Sequence, residues 1–168
     1  GFELLPEPLF DEQATKENIY TGFTRLVSEL LPEDNLIIYF SGHGRMHPLT
    51  GKGYWVPYDA SDTPVDFVEN SVVKDFIGAM KSSHVFLIAD SCFSGTFLST
   101  TRGGIKEIKY EDLLKKTSRW MLASGGEETV GDGAKGKNSP FARNLLEFLT
   151  INANKHISVE EIIRYVSV

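Results

Sequence analysis

Two short apolar runs set the limits on how this chain can fold. Leu36, Ile37, Ile38, Tyr39 and Phe40 run into Ser41, Gly42, His43 and Gly44, while Val85, Phe86, Leu87, Ile88 and Ala89 run into Asp90, Ser91, Cys92, Phe93, Ser94 and Gly95. Each run has the length and β-rich content of a strand buried on both faces of a parallel sheet, and each breaks at small polar residues. His43 and Cys92 therefore both follow strand C-terminal ends. In an open α/β sheet that edge is where ligands bind, so a histidine and the chain's one cysteine are expected to face the same crevice.

The intervening pattern supports alternating strands and helices. Thr15 to Leu31 places Ile19, Phe23, Leu26, Val27 and Leu30 on one helical face before Pro32 halts it. A glycine-rich loop is expected from Ser41 to Gly53 and a short strand over Tyr54 to Val56. Ser71 is expected to cap a helix whose face carries Val72, Val73, Phe76, Ile77 and Met80, leading into the second apolar run. Further on, Ser99 to Lys109 reads as a polar loop, Arg119 to Ala123 as a strand and Gly125 to Asn138 as another loop. Ser139 and Pro140 form a good N-cap and first-turn pair for a helix carrying Phe141, Leu145, Leu146 and Leu149, and Ser158 with Glu161 matches a capping box. Gly1 to Leu5 reads as the tail of a strand. At 168 residues the chain fits one domain with a real core, over residues 1–168.

Composition removes several classes of function. A net charge of −6 without a cluster of Lys and Arg disfavours nucleic acid as a direct ligand. No apolar run approaches the roughly 18 residues needed to span a bilayer, and the N-terminus lacks a signal-like core. A single cysteine forms no internal disulfide, which fits a reducing compartment, and the cytoplasm is the expected location.

A thiol at its ordinary pKa of about 8.5 is only a few per cent thiolate at neutral pH, so a reactive cysteine needs an imidazole or positive dipoles beside it. His43 is the candidate base, able to take the thiol proton and return one to a departing amine. Backbone N–H groups of Gly44 and Cys92 are candidates for an oxyanion hole. Asp90, two residues before Cys92, either lines a pocket for an Arg or Lys side chain or caps local backbone N–H groups. A lone cysteine is more often a small buried hydrophobe than a nucleophile, but the flanking Asp90, Ser91 and Gly95 and the matching Ser41 to Gly44 segment weigh against that reading here. His47 reads as a locally bonded loop residue, and His84 and His156 as weaker candidates still. No ligand pair has the short spacing of a structural zinc site, so no metal is expected.

Leu36 to Gly44 and Val85 to Gly95 resemble the two catalytic motifs of the caspase-like peptidases, particularly the metacaspase, paracaspase and bacterial caspase-like branch. The caspase histidine lies about 50 residues upstream of the cysteine, and the separation of His43 from Cys92 matches this property of the family. Gly53 to Asp59 resembles the segment after the catalytic histidine, and Arg119 to Leu149 the later strand, specificity loop and helix. The resemblance implies a three-layer α/β sandwich with a mostly parallel central sheet flanked by helices. It implies a His43–Cys92 dyad, oxyanion donors at Gly44 and Cys92, and a basic-residue pocket at Asp90 with Glu127 or Glu128 as a second acid, although that pair also reads as plain loop surface.

Three departures from the family pattern matter. Asp90, Ser91 and Cys92 replace the Gln-Ala-Cys of caspases proper, so Arg or Lys rather than Asp is expected before the cleaved bond. Phe93 stands where metacaspases commonly have histidine. The family fold begins with another strand and helix, and this chain is expected to start after them, leaving the domain N-terminally incomplete. Gly1 is then either an artificial boundary or a new N-terminus made by proteolysis, with an N-terminal fragment held as a separate chain. Related enzymes are often cut between the cysteine strand and the next, which makes Arg102, Lys106 and Lys109 candidate self-cleavage sites. Some relatives need calcium, but no Asp-rich loop here has a calcium-binding pattern, so no cofactor is expected and calcium rests on family analogy alone. The expected function is a cysteine endopeptidase acting on protein substrates, with a regulatory partner possible by analogy. The alternatives are a catalytically idle scaffold module and an acyl transferase built on the same residues.

Overall fold

The computed structural model describes residues 3–5, 8–91, 117–125, 138–154 and 157–166. Helix α1, Lys16–Glu29, begins where the Thr15 hydroxyl accepts the Asn18 N–H and ends two residues before the start of the Leu31–Pro32 break. Strand β1, Asn35–Ser41, follows. Three short strands come next: β2, Gly44–Met46; β3, Gly53–Trp55; and β4, Val68–Glu69. They pair antiparallel in a small separate sheet of order β2-β3-β4. Helix α2, Asn70–Ala79, leads to β5, His84–Asp90, and the later chain supplies β6, Ser118–Ala123, then helices α3, Pro140–Ile151, and α4, Val159–Val166.

The main sheet has the order β1-β5-β6, parallel throughout, with β5 central among the described strands. A strand flanked on both sides and covered on both faces is apolar at successive positions, which is why Val85, Leu87, Ile88 and Ala89 are all buried. Side chains alternate across the sheet. Leu36, Val85 and Leu87 pack with Ile19 and Phe23 of α1 and Val73 of α2, whereas Ile88 and Leu122 pack with Phe141, Leu145 and Phe148 of α3 and Ile162 and Val166 of α4. Helices therefore cover both faces, giving the three-layer α/β arrangement that the alternation of strands and helices implies.

Several local expectations need correction. The segment from Ser41 to Gly53 is not all loop, because Gly44–Met46 pairs with Gly53–Trp55. Ser71 does not cap α2: Glu69 occupies that position, and the Ser71 hydroxyl instead donates to the Glu69 carboxylate. Helix α3 turns Phe141, Leu145 and Phe148 inward and leaves Leu146 and Leu149 about half exposed, so the buried stripe is displaced from the expected one. Residues 3–5 have no regular secondary structure, and residues 1 and 2 lie outside the described part. The capping box is present as read: the Ser158 N–H donates to Glu161 Oε2 at 2.8 Å and the Glu161 N–H to Ser158 Oγ at 3.1 Å. No described helix is long and apolar enough to cross a membrane.

Candidate active site

The parallel register pairs Ser41, the last residue of β1, with Asp90, the last residue of β5. His43 stands two residues beyond the first and Cys92 two beyond the second. The chain segments leading to both therefore leave the sheet at neighbouring points on its C-terminal edge, and the Gly42 N–H donates to the Asp90 carbonyl at 3.3 Å across that edge. Cys92 itself, like Glu127, Glu128, Arg102, Lys106, Lys109 and His156, lies outside the described residues.

His43 is solvent-exposed in the bend between β1 and β2. Two contacts hold that bend. The Val56 N–H donates to the His43 carbonyl at 2.9 Å, and Phe40 stacks on Trp55 with ring centroids 3.9 Å apart. Gly44 enters β2 directly and pairs with Trp55. The short antiparallel sheet thus buttresses the histidine-bearing turn from its far side.

Asp90 is only 8% exposed, and its neighbour Ser91 is buried with it. A buried carboxylate needs polar partners. Ser139 Oγ donates to Asp90 Oδ2 at 2.5 Å, and the same Ser139 oxygen caps α3 by accepting the Ala142 N–H at 2.9 Å. On the other side Tyr39 of β1, the register partner of Ile88 and so on the strand face that Asp90 shares, lies close enough to feel the Asp90 charge. Burial pushes the Tyr39 phenol above its ordinary pKa, and the Asp90 charge pushes it further, because both disfavour a phenolate. Tyr39, Ser41, Asp90 and Ser139 form one polar cluster at the C-terminal edge of the sheet, on the side that α3 covers.

The other described histidines fall elsewhere. His47 Nδ1 accepts the N–H groups of Leu49 and Thr50, each at 3.3 Å, which is a local turn contact. His84 opens β5 and sits at the opposite edge of the sheet, where its Nδ1 meets Ser118 Oγ at 2.8 Å. Among the described residues no group of three or more His, Cys, Asp or Glu side chains is arranged to hold a metal ion.

Sequence reasoning did not connect Tyr39 or Ser139 with Asp90. Tyr39 had a usable signal, since it shares a strand face with Ser41, the register partner of Asp90. Ser139 had only its capping pattern, which says nothing about what the hydroxyl proton meets.

Comparison with known proteins shows the family. The family model described as the metacaspase, peptidase C14 domain matches residues 5–101, a span that includes both His43 and Cys92. Metacaspase-1A of Neurospora crassa is 33% identical over 135 residues, 71% of this chain and 28% of that protein. Metacaspase-1 of Yarrowia lipolytica is 31% identical over 130 residues, 70% of this chain and 28% of that protein. Metacaspase-2 of Arabidopsis thaliana is 32% identical over 125 residues, 67% of this chain and 30% of that protein. The chain thus spans only about a third of the length of these curated relatives. A crystal structure of a Geobacter sulfurreducens protein superposes with a TM-score of 0.64 at 16% identity, covering 94% of this chain and 70% of that one, a likeness of fold. With its histidine-bearing and cysteine-bearing strands side by side in a parallel sheet, and more than half its length matched, the chain belongs to the metacaspase family of caspase-like cysteine peptidases.

Proposed function

We propose that this chain carries the catalytic dyad of an endopeptidase that cleaves protein substrates after Arg or Lys, with Cys92 as nucleophile and His43 as its acid and base. The observation that carries the reading is the position of Asp90: a buried carboxylate at the end of the cysteine strand, in register with Ser41 at the end of the histidine strand. A carboxylate there gives a guanidinium or ammonium a charged partner two residues from the attacking sulfur.

In the proposed reaction His43 takes the Cys92 thiol proton, and the thiolate sulfur attacks the carbonyl carbon after the basic residue. The oxyanion of the tetrahedral intermediate is received by the backbone N–H groups of Gly44 and Cys92. The intermediate collapses as the C–N bond breaks, and the imidazolium gives its proton to the leaving amine, which leaves a thioester on Cys92. Water, deprotonated by His43, then attacks the thioester and releases the acid and the thiol. Thiol and imidazole suffice for both halves, so no cofactor enters the proposed chemistry. Glu127 or Glu128 is proposed as the second acid of the basic pocket.

The test is turnover of matched fluorogenic peptides ending in Arg, Lys, Asp or Leu by the full-length protein, its Cys92→Ala, His43→Ala and Asp90→Ala variants, with and without calcium. Arg and Lys turnover should vanish in the first two variants and lose its basic preference in the third. Turnover that survives Cys92→Ala would sink the dyad, and a preference for Asp would sink the basic pocket.

A further inference from the structure

Asp90 can select a basic side chain only if its carboxylate is held in one orientation, and the structure contains a device that does this. Ser139 has one hydroxyl proton and two lone pairs. Its lone pair takes the Ala142 N–H, a group that can only donate, so the proton is directed at Asp90 Oδ2, a group that in its ionised form can only accept. Neither contact can reverse its direction, and the hydroxyl is therefore committed.

The anchor behind it is stiff. Pro140 follows immediately with its φ fixed by the ring, and Phe141, Leu145 and Phe148 bury α3 against Ile88 and Leu122 of the sheet. The first turn of a helix is also a favourable neighbourhood for negative charge. Tyr39 lies near the same carboxylate on β1, so Asp90 stands between a strand and the helix that holds it, which are far apart in the chain.

We infer that Ser139 is a positioning residue for substrate selection, its hydroxyl clamping the Asp90 carboxylate in the orientation that receives a basic side chain. This rests on the reading of Asp90 as the selector. It goes beyond that reading by assigning specificity to a helix cap that makes no contact with the scissile bond.

The cap and the clamp can be separated. Glycine is nearly as good an N-cap as serine but has no hydroxyl, whereas threonine keeps both functions. Affinities of peptides ending in Arg and in Leu are measured by calorimetry on the full-length protein in a Cys92→Ala background, where no turnover intervenes. A lost hydrogen bond to a charged group corresponds to about a tenfold change in affinity, so Ser139→Gly should cut the Arg-to-Leu affinity ratio by about tenfold and Ser139→Thr should restore it. A merely loosened fold would weaken both peptides alike and leave the ratio unchanged. Should the glycine variant be partly unfolded at ambient temperature, the same ratio is read on it at reduced temperature, with the folded fraction followed by circular dichroism. An unchanged ratio in Ser139→Gly, with the ratio abolished by Asp90→Ala, overturns the clamp and leaves the selector standing. A ratio that survives Asp90→Ala overturns the selector and the clamp together.

Discussion

Phe40 and Trp55 stack face to face, with centroids 3.9 Å apart and planes within 5° of parallel, and the pair closes the turn that carries His43. Phe40 is the next-to-last residue of β1 and Trp55 the last of β3, so the stack joins the main sheet to the small one. Trp55 is only 3% exposed and also meets Phe23 of α1. Replacing Phe40 by alanine should cost about 3 kcal/mol, from lost transfer energy and the cavity left beside the indole. The proposed peptidase activity should fall further than the folded fraction does, because the His43 turn loses its support. Urea denaturation compared with turnover checks both, and equal losses would mean that the stack stabilises without positioning.

Gly42 lies against the same ring. A Cβ built there meets Phe40 Cζ at 3.2 Å, closer than carbon atoms normally approach, and the ring cannot retreat because Trp55 is stacked on it. Gly42→Ala is therefore expected to destabilise by about 1 to 2 kcal/mol through overpacking. Combining it with Phe40→Leu should recover part of the loss, since the smaller side chain frees the space. A double variant as unstable as the sum of the singles would show that the ring is not the obstacle.

Arg119, at the start of β6, closes the end of α2. Its guanidinium donates to the carbonyls of Ile77 at 3.2 Å and of Met80, Ser83 and Ser118 at 3.0 Å each. The last carbonyls of a helix have no partner within it, and a planar fork of donors suits them better than a single ammonium. Discounted for solvent exposure, Arg119→Ala should cost about 1 to 2 kcal/mol, with Arg119→Lys recovering less than half. A shifted urea midpoint at unchanged m-value is the expected signature. Equal stability of the lysine variant and the wild type would refute the fork.

What could be read from the residues follows from the range of the forces involved. Strand β5 was legible because burial on both faces writes an uninterrupted apolar run, β1 because its run is apolar and β-rich even though Ile37 and Tyr39 prove about half exposed rather than buried, and the Ser139 and Ser158 caps because a cap is a contact made within three residues. Strand β2 was not, since three residues with Arg45 in the middle carry no period and exist as a strand only by pairing with β3. The buried stripe of α3 was misplaced because Leu145, Leu146, Phe148 and Leu149 make two overlapping apolar faces, and only the sheet decides between them. His43 and Cys92 stand out as candidates by where the apolar runs stop. The contact between Ser139 and Asp90, 49 residues apart, leaves no mark in either segment.

The polar cluster at the sheet edge can be observed without any substrate. Desolvation raises the Tyr39 phenol above its ordinary 10.0, and the charge of Asp90 raises it further, against a lowering by Ser41. A phenol is neutral when protonated, so a raised value means that the folded chain holds the proton more tightly than the unfolded chain does. Its contribution to stability is therefore fully present below pH 10.0 and is lost as pH rises through the folded-state value. The sequence has 6 tyrosines, so the Tyr39 component is isolated as the difference between the absorbance titrations of wild type and Tyr39→Phe. In an Asp90→Asn background that component should move down toward the ordinary value without reaching it, because the charge is gone while the burial remains. Tyr39→Phe should also flatten the alkaline loss of stability. An unmoved Tyr39 titration in Asp90→Asn would separate the two side chains and dissolve the cluster on which the clamp depends.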